Sequence, residues 1–181
     1  MLPLFLFVLL TSFVKDVDVQ QLEERDHITY LKGNQEPFTG NAIVRSVKGT
    51  VIIRTPYVDG LINGTEYEYY ESGAVKKTAE YSQGKYNGLL IHFYENGQIE
   101  SEETYKMDYK YGPSKYMYPN GQTRLEGEYY DCKEVGMWRE FYDNGNRKSE
   151  GAYHDAEKTG QWNYYDSDGN LIKTEQFKAR L

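Results

Sequence analysis

Three histidines are the side chains best suited to bind a metal ion or to transfer a proton: His27, His92 and His154. Zinc sites combine histidine with cysteine or a second histidine at short spacings. None of the three has such a neighbour, so the sequence predicts no metal site. The chain also lacks a Gly-x-Ser-x-Gly nucleophile motif and a Gly-Lys-Ser/Thr phosphate loop. We therefore expect no catalytic residue, no cofactor and a function other than catalysis.

A row of carboxylates is a second candidate for chemistry. Glu102, Glu126 and Glu150 are separated by equal intervals along the chain, and carboxylate oxygens are ligands for hard cations. Lysines such as Lys76 and Lys148 occur in equivalent segments. Because strands often present one mixed-charge face to water, we expect this row to be solvated.

Four aromatic residues toward the carboxyl end form the candidate binding surface: Trp138, Tyr142, Trp162 and Tyr164. Stacked rings bind quaternary amines and the faces of sugars. The segment 160–165, Gly-Gln-Trp-Asn-Tyr-Tyr, is similar to the aromatic hairpins of cell-wall and choline-binding repeats, which have a different period. Rings of this kind also hold neighbouring hairpins together, and both interpretations stay open.

The elements that carry these residues repeat at one constant interval, the distance along the chain from Tyr57 to Tyr81, without an insertion. An exact period over this many units predicts an array in which each unit packs on its neighbours. The positions in phase are Tyr57, Tyr81, Tyr105, Tyr129, Tyr153 and Phe177; Gly64, Gly88, Gly112, Gly136 and Gly160; and Gly73, Gly97, Gly121, Gly145 and Gly169.

The period divides the chain into units. Residues 15–32 are a lead-in and amino-terminal cap, with a short strand expected around Ile28 to Leu31. A degenerate first unit covers 33–56, where Gly40 and Gly49 keep the two glycine positions. Full units are expected at 57–80, 81–104, 105–128, 129–152 and 153–176, and a partial unit at 177–181.

Each unit has the pattern of a β-hairpin. In 129–152, an aromatic strand at 138–142 precedes Asp143-Asn144-Gly145, and Asn-Gly supplies the positive φ that a tight turn needs. A second strand follows at 147–152, and a second turn leads to the next unit, with Asn63-Gly64 and Cys132 in turns of that type. Strands of about five or six residues are typical. The fold class predicted is all-β: an elongated antiparallel meander of repeated hairpins, with an aromatic face and a charged face.

Residues 1–14 have the character of a signal peptide or an amino-terminal anchor. The segment 2–10 is almost wholly apolar, which is signal-peptide length and short for a membrane span. No lysine or arginine precedes it and no Ala-x-Ala cleavage site follows; the alternative is a buried terminal strand or helix. We expect export to the periplasm or cell envelope, with a cytoplasmic location as the alternative.

Composition excludes several classes of partner. The formal net charge is -7, which disfavours binding to nucleic-acid phosphates and to anionic lipid beyond the amino-terminal segment. Cys132 is the single cysteine, so no intrachain disulfide forms. The chain has 19 tyrosines, against 7 phenylalanines and 2 tryptophans. Tyrosine suits a thin sheet because its ring can pack against apolar groups while its hydroxyl contacts water.

These residues resemble a known family. The segments 88–99 and 136–145 resemble the MORN-repeat variant found in bacterial proteins, and the resemblance covers about residues 21–178. The unit at 105–128 departs from the pattern at Pro113, Ser114 and Pro119. The segment 37–40, Pro-Phe-Thr-Gly, is similar to the start of the YwqK-type antitoxins of toxin–antitoxin systems. That resemblance implies a protein partner.

The expected function is that of an exported, non-catalytic scaffold that binds a protein partner. The alternative is a cell-wall or glycan-binding module that uses the aromatic residues.

Overall fold

The computed structural model describes residues 15–178, so the predicted signal peptide at 1–14 lies outside the described residues. Almost every element is a strand. The elements are β1 (Asp16–Asp18), a 3-10 helix (Val19–Gln21), β2 (Leu22–Arg25), β3 (Ile28–Leu31), β4 (Gly40–Arg45), β5 (Val51–Val58), β6 (Leu61–Ile62), β7 (Gly64–Tyr69), β8 (Val75–Ser82), β9 (Lys85–Phe93), β10 (Ile99–Lys106), β11 (Tyr109–Met117), β12 (Thr123–Tyr130), β13 (Lys133–Phe141), β14 (Arg147–His154), β15 (Glu157–Tyr165) and β16 (Leu171–Phe177).

The strands form one long meander, which confirms the predicted fold. A 14-stranded sheet runs in the order β1-β4-β5-β7 and then consecutively from β8 to β16, with β6 also paired to β5. All of these pairs are antiparallel except that between β1 and β4. Strands β2 and β3 form a separate hairpin over the first repeat. Because neighbouring strands lie about 4.8 Å apart, each added hairpin lengthens the molecule.

The repeat strands are longer than the sequence predicts. Strands β8 to β15 have eight or nine residues each, whereas we expected shorter ones. The error comes from treating the glycines at 64, 88, 112, 136 and 160 as turn residues. They lie inside or at the start of strands, opposite the repeating tyrosines. The pairs include Gly64 with Tyr81, Gly88 with Tyr105, Gly112 with Tyr129 and Gly136 with Tyr153.

Glycine is needed at these positions because the strands carry a β-bulge there. Gly112 has φ +106, a conformation that side chains with a Cβ rarely adopt. The register of β10 against β11 shifts between Glu103 and Tyr105, beside this glycine. A bulge inserts extra residues on one strand and increases the local twist. The same register shift recurs beside Gly88, Gly136 and Gly160, so this bulge increases the twist of the sheet regularly along its length.

The turns on the two edges of the sheet differ. On the edge of Gly145, the Tyr142 amide donates to the Asn146 carbonyl at 2.8 Å and the Gly145 amide donates to the Tyr142 carbonyl at 3.0 Å. Only Gly145 has positive φ, +87, as in a type I turn followed by a glycine bulge. The sequence thus predicts the turn position correctly, and glycine alone provides the positive φ.

The opposite edge carries two-residue turns with positive φ at both residues. Asp131 (φ 52) and Cys132 (φ 63) form one of them, which is the type I′ pattern. Cys132 is exposed, as expected. The Asn63-Gly64 pair, by contrast, was wrongly placed in such a turn. Asp59 and Gly60 form that turn, and Gly64 begins β7.

The buried apolar residues lie along this thin sheet and under its amino-terminal cap. They are Val17, Phe38, Ala42, Ile43, Ala79, Leu90, Met117, Trp138 and Trp162. The cap is fastened to the first full repeat by the Thr29 amide, which donates to the Gly60 carbonyl at 2.9 Å. Within residues 15–178, no helix has the length and hydropathy to cross a membrane.

Candidate functional site

One face of the sheet carries a continuous row of rings. Tyr129, Trp138, Tyr153 and Trp162 alternate along it, with ring centroids 5.1, 6.1 and 5.1 Å apart and each pair edge to face. Edge-to-face contacts between aromatic rings are favourable because the ring edge is positive and the ring face negative. We call this row, with the side chains around it, the aromatic face.

Both tryptophans of the candidate surface are buried within this row. Trp138 and Trp162 are each 4% exposed. A Cβ atom built on Gly127 would lie 2.2 Å from Trp138, and one built on Gly151 would lie 2.2 Å from Trp162. The indoles therefore pack directly on glycine backbone. The other side of the Trp162 ring is covered by the Lys158 ammonium, 4.0 Å from the ring centroid.

The sequence analysis missed Gly127 and Gly151, although a signal for them existed. They are one repeat period apart, and a tryptophan follows each at the same distance along the chain, Trp138 after Gly127 and Trp162 after Gly151. Two repeats before Gly127, Ala79 pairs with Leu90 in the same way. In these units a small residue on one strand lies against a larger side chain on the next strand. The residue types of the two partners differ from unit to unit.

A groove of about 200 Å³ opens on the aromatic face between β12 and β15. Its walls combine rings with charged side chains. The lining residues are Leu125, Tyr129, Glu134, Trp138, Arg139, Glu140, Ser149, Tyr153, Lys158 and Trp162. Of the four residues predicted to form a binding surface, Trp138 and Trp162 line this groove, whereas Tyr142 and Tyr164 do not.

Tyr164 and Tyr142 have structural partners of their own. The Tyr164 ring lies 6.3 Å from Trp162, and its hydroxyl donates to the Glu175 carboxylate at 2.9 Å. The Tyr142 hydroxyl donates to the Tyr165 backbone carbonyl at 2.9 Å. Tyr142 therefore lies at the turn edge, apart from the groove.

Tyr142 is one rung of a regular ladder of tyrosines spaced by one repeat period. In four successive units a tyrosine hydroxyl donates to a backbone carbonyl of the next unit, at 2.7 to 2.9 Å. The pairs are Tyr70 with Phe93, Tyr94 with Met117, Tyr118 with Phe141 and Tyr142 with Tyr165. Tyrosine keeps the position before four of these turns, whereas Ser46 and Asp166 occupy it in the first and last units. Neighbouring units are thereby joined at one edge of the sheet.

The opposite face carries the row of glutamates. In the sheet register, Lys115 lies between Glu102 and Glu126, and Arg139 lies between Glu126 and Glu150. Opposite charges therefore alternate across five strands. The arginine is 3.6 Å from Glu126 and 3.8 Å from Glu150. Cationic side chains of the protein itself therefore lie between these carboxylates.

The expectation that the whole row is solvated is wrong for Glu150. Its side chain is 16% exposed. It accepts hydrogen bonds from Arg147 at 2.7 Å and from the Tyr165 hydroxyl at 2.9 Å. The register shift between Glu140 and Phe141 places Arg147 opposite Phe141 on this face, and the position of Arg147 cannot be read from strand alternation alone.

A buried carboxylate lies in the middle of the array. Glu103 is 6% exposed, and it is ion-paired with Lys110 and hydrogen-bonded to the Tyr116 hydroxyl at 2.5 Å. Burial, followed by the bond to Glu103, raises the pKa of Tyr116 well above its ordinary value. Burial lowers the pKa of Lys110, but the hydrogen bond to Glu103 and the attraction of its charge, with smaller effects of Tyr105 and Tyr129, together raise the pKa. The carboxylate is neutralised by partners within the chain, so its burial does not require a bound ligand.

His92 lies beside a serine, and histidine next to serine is a combination found in catalytic sites. Its Nδ1 atom lies 3.2 Å from the Ser101 hydroxyl oxygen. Ser101 is buried, so a substrate cannot approach the hydroxyl without rearrangement of the sheet. The contact is explained by packing between two adjacent strands.

One exposed cluster breaks the repeat pattern. Met107, Tyr109, Tyr111 and Tyr130 surround a groove of about 280 Å³ together with Lys106 and Asp131. Tyr109 is 55% exposed and Tyr130 is 59% exposed. The rings of Tyr111 and Tyr130 lie 4.9 Å apart. We call these four apolar residues the tyrosine patch.

The tyrosine patch lies on the opposite face from the aromatic groove. Tyr130 follows Tyr129 in β12, and successive side chains of a strand point to opposite faces. The sequence analysis noted that the unit at 105–128 departs from the pattern but did not find this patch. Comparing each position with its equivalents one period away would have shown it.

Comparison with known proteins agrees with the repeat geometry. A family model described as MORN repeat variant matches residues 62–83, 86–107, 134–155 and 158–179. No curated protein matches the chain. The unmatched stretch between the second and third segments keeps the same backbone geometry, since Gly112 still pairs with Tyr129. The chain is therefore an array that contains MORN repeats of the variant type.

Proposed function

We propose that this repeat scaffold is non-catalytic and binds a protein partner through the tyrosine patch. The observation that carries the proposal is the exposure of Met107, Tyr109, Tyr111 and Tyr130 at positions where the flanking units are polar. A contiguous exposed apolar patch with a polar rim is typical of protein–protein interfaces. Tyrosine is enriched in such interfaces because it offers a rigid ring and a hydroxyl.

The flanking units show what the repeat requires at these positions. The equivalents are Gln83 and Asp131 for Met107, Lys85 and Lys133 for Tyr109, Asn87 and Val135 for Tyr111, and Lys106 and His154 for Tyr130. All but Val135 are polar. The fold therefore accepts polar residues at these positions, and packing does not explain the patch.

The rim indicates the chemistry of the partner. The Lys106 ammonium lies 5.1 Å from the centroid of the Tyr111 ring, at the border of the patch. A protein segment with aliphatic or proline side chains would pack on the tyrosines. A carboxylate on that segment would pair with Lys106.

The test replaces the patch by residues that the repeat itself uses. The variant Met107→Gln, Tyr109→Lys, Tyr111→Asn, Tyr130→His is expected to fold with an unchanged circular dichroism spectrum. Proteins captured from native cells by the wild-type chain are compared with those captured by this variant. The partner is the protein lost with the variant and then shown, when purified, to bind the wild-type chain directly.

A matched control changes the preceding unit at the equivalent positions. Gln83→Asp, Lys85→Glu, Asn87→Thr uses residues found in other units and should leave capture of that protein intact. Equal capture by the wild-type chain and the patch variant would contradict the proposal.

The location and the kind of partner are further parts of the proposal. The apolar segment at 2–10 supports export, and cell fractionation should then find the protein outside the cytoplasm. Full-length protein found only in the soluble cytoplasm would contradict export.

The similarity of residues 37–40 to YwqK-type antitoxins supports a toxin as partner. Such a partner should arrest growth when expressed alone and fail to do so when co-expressed with this chain.

A glycan ligand is less favoured by the geometry. Sugars stack on exposed ring faces, whereas Trp162 is covered by Gly151 on one face and by Lys158 on the other. Retention of the protein on purified cell wall, lost in Trp162→Ala without loss of stability, would favour the glycan-binding function instead.

A further inference from the structure

The last full repeat contains a cation held inside an aromatic cage. The Lys158 ammonium lies 4.0 Å from the Trp162 ring centroid, 5.4 Å from that of Tyr164 and 5.6 Å from that of Phe177. It also donates to the Tyr164 hydroxyl at 3.1 Å. Cations are attracted to ring faces by the ring quadrupole, most strongly for tryptophan. The chain thus fills this cage with its own side chain.

The preceding repeat keeps two of the three rings of this cage but not its cation. One period earlier, Trp138 replaces Trp162 and Tyr153 replaces Phe177, while Glu134 stands in place of Lys158. Glu140 stands in place of Tyr164. All four of these residues of the preceding repeat line the 200 Å³ groove. Rings and carboxylates therefore surround a space where the next repeat has an ammonium group.

The repeat before that one again supplies its own lysine. Lys110, at the position equivalent to Glu134 and Lys158, lies 5.1 Å from the Tyr129 ring centroid and is paired with Glu103. Lysine is therefore an accepted residue at this position in two of three successive repeats. Glu134 is the exception, and steric limits of the fold do not require it.

The charges around the groove favour a cation beside Glu134. Within residues 15–178, no hydrogen bond or ion pair is formed by the Glu134 side chain. Its charge lies close enough to Tyr153 to help raise the pKa of that residue, after the larger effect of burial and against that of Lys158. Glu140 pairs with Lys148 at 2.8 Å, at the outer rim where both side chains are more than a third exposed.

Two cations of the chain also line the groove, and each has partners of its own. Arg139 pairs with Glu126 and Glu150 on the opposite face, and Lys158 is held over Trp162. Within the described residues, neither Arg139 nor Lys158 lies within ion-pair distance of Glu134. A cation in this groove would lie beside one unpaired carboxylate, that of Glu134, and beside the rings of Trp138 and Tyr153, which also line the groove.

We infer that the groove lined by Glu134 and Trp138 is a binding site for an alkylammonium group supplied by another molecule. The group can belong to a lysine side chain of a protein or to a small quaternary amine, because both present a cation with attached carbon atoms. This site lies on the opposite face from the tyrosine patch and does not depend on the proposed function of that patch.

The test measures binding of small probes to the purified chain by the nuclear magnetic resonance signals of the two indole N–H groups. Tetramethylammonium and N-acetyl-lysine methylamide should shift the Trp138 signal in a saturable way. The neutral analogues neopentyl alcohol and N-acetyl-norleucine methylamide should bind at least about tenfold more weakly. Tighter binding of the lysine derivative identifies a protein source, and tighter binding of tetramethylammonium identifies a small amine. Equal binding of charged and neutral probes, or no shift at Trp138, would overturn the inference.

Reciprocal variants separate loss of the site from loss of the fold. Glu134→Lys should fill the groove from within the chain, as Lys158 does, and weaken probe binding by about tenfold or more. Lys158→Glu should open a second site, so that the Trp162 signal also responds to the cations. Glu128→Lys makes the same change of charge on the opposite face and should bind like the wild type.

A Glu134→Lys protein that binds the probes normally would contradict the site, and so would a folded Lys158→Glu protein whose Trp162 signal does not respond. The tyrosine-patch variant should bind the probes as the wild type does. Capture of the protein partner by the tyrosine-patch variant tests the proposed function, and probe binding tests the groove, so the two results are independent.

Discussion

The indole of Trp162 packs on the backbone of Gly151, so that a Cβ atom at residue 151 would lie 2.2 Å from the indole Cδ2 atom. Gly151 does not have the positive φ of the turn glycines, so its role is steric. The Trp162 Nε1 atom also donates to the Ala152 carbonyl at 3.0 Å. The two residues form one packing unit that joins β14 and β15.

The first prediction is that Gly151→Ala destabilises the protein and that Trp162→Leu relieves this effect. Overpacking of a filled site costs about 1–3 kcal/mol. The combination Ala and Leu already occurs at the equivalent pair Ala79 and Leu90, so the double variant should recover part of the loss. Urea denaturation of the four proteins in the double-mutant cycle gives the coupling energy, expected at about 1 kcal/mol or more. Additive losses would show that the indole does not rest on this glycine.

The second prediction concerns the tyrosine ladder. The Tyr118 hydroxyl donates to the Phe141 carbonyl at 2.9 Å, and Tyr118→Phe removes this bond while keeping the ring. A hydrogen bond of this kind contributes about 1 kcal/mol. Tyr130→Phe, at an exposed position on the patch, is the control and should change the free energy of unfolding little. Equal effects of the two changes would mean that the ladder does not stabilise the array.

The third prediction concerns Glu150, which accepts bonds from Arg147 and Tyr165. Glu150→Lys would place a third cation beside Arg147 and Arg139, and we expect a loss of about 2 kcal/mol or more in the free energy of unfolding. Glu128→Lys is the matched control because Glu128 is exposed; its effect should stay within about 0.5 kcal/mol. Thermal or urea denaturation measures both. A Glu150→Lys protein as stable as the control would contradict the role of this residue.

The fourth prediction is a loss of stability at alkaline pH. Burial, above all, raises the pKa of Tyr105, Tyr116 and Tyr129 above the ordinary value of 10.0. The folded state therefore holds these protons more tightly than the unfolded state. Their contribution to stability is complete below about pH 10 and is lost as the pH rises above it, because the unfolded chain releases protons first. Tyrosinate absorbance and circular dichroism, followed together, should show these residues ionising as the sheet unfolds. Ionisation near pH 10 with the sheet intact would contradict the burial of the hydroxyls.

The repeat architecture could be predicted because it depends on periodicity. Glycine at fixed intervals identifies the turn at Gly145, and the tyrosine spacing identifies the unit length. The strand bounds could not be predicted in the same way, since the positive φ of Gly112 belongs to a bulge within a strand. Sequence spacing alone does not distinguish a bulge glycine from a turn glycine.

The candidate site was predicted only in part. The sequence identifies the ring-rich repeats correctly, but exposure depends on what covers each ring, and Gly151 and Lys158 cover Trp162. Tyr142 is separated from the groove by its bond to Tyr165. The exposed residues Tyr109 and Tyr130 could have been found by comparing each repeat position with its equivalents, because departures from the repeat are not needed for packing.

The most direct test of the account is site-specific photocrosslinking at the tyrosine patch in native cells. A photoreactive benzoylphenylalanine is placed at Tyr109 and, in a second strain, at the equivalent position Lys85 in the preceding repeat. Each of the two residues is the first of a strand that follows a two-residue turn. The two sites are therefore matched in exposure and in backbone geometry. The account predicts a discrete crosslinked protein from position 109 and none from position 85. The same product from both positions, or no product from position 109, would contradict the claim that this patch binds a protein partner.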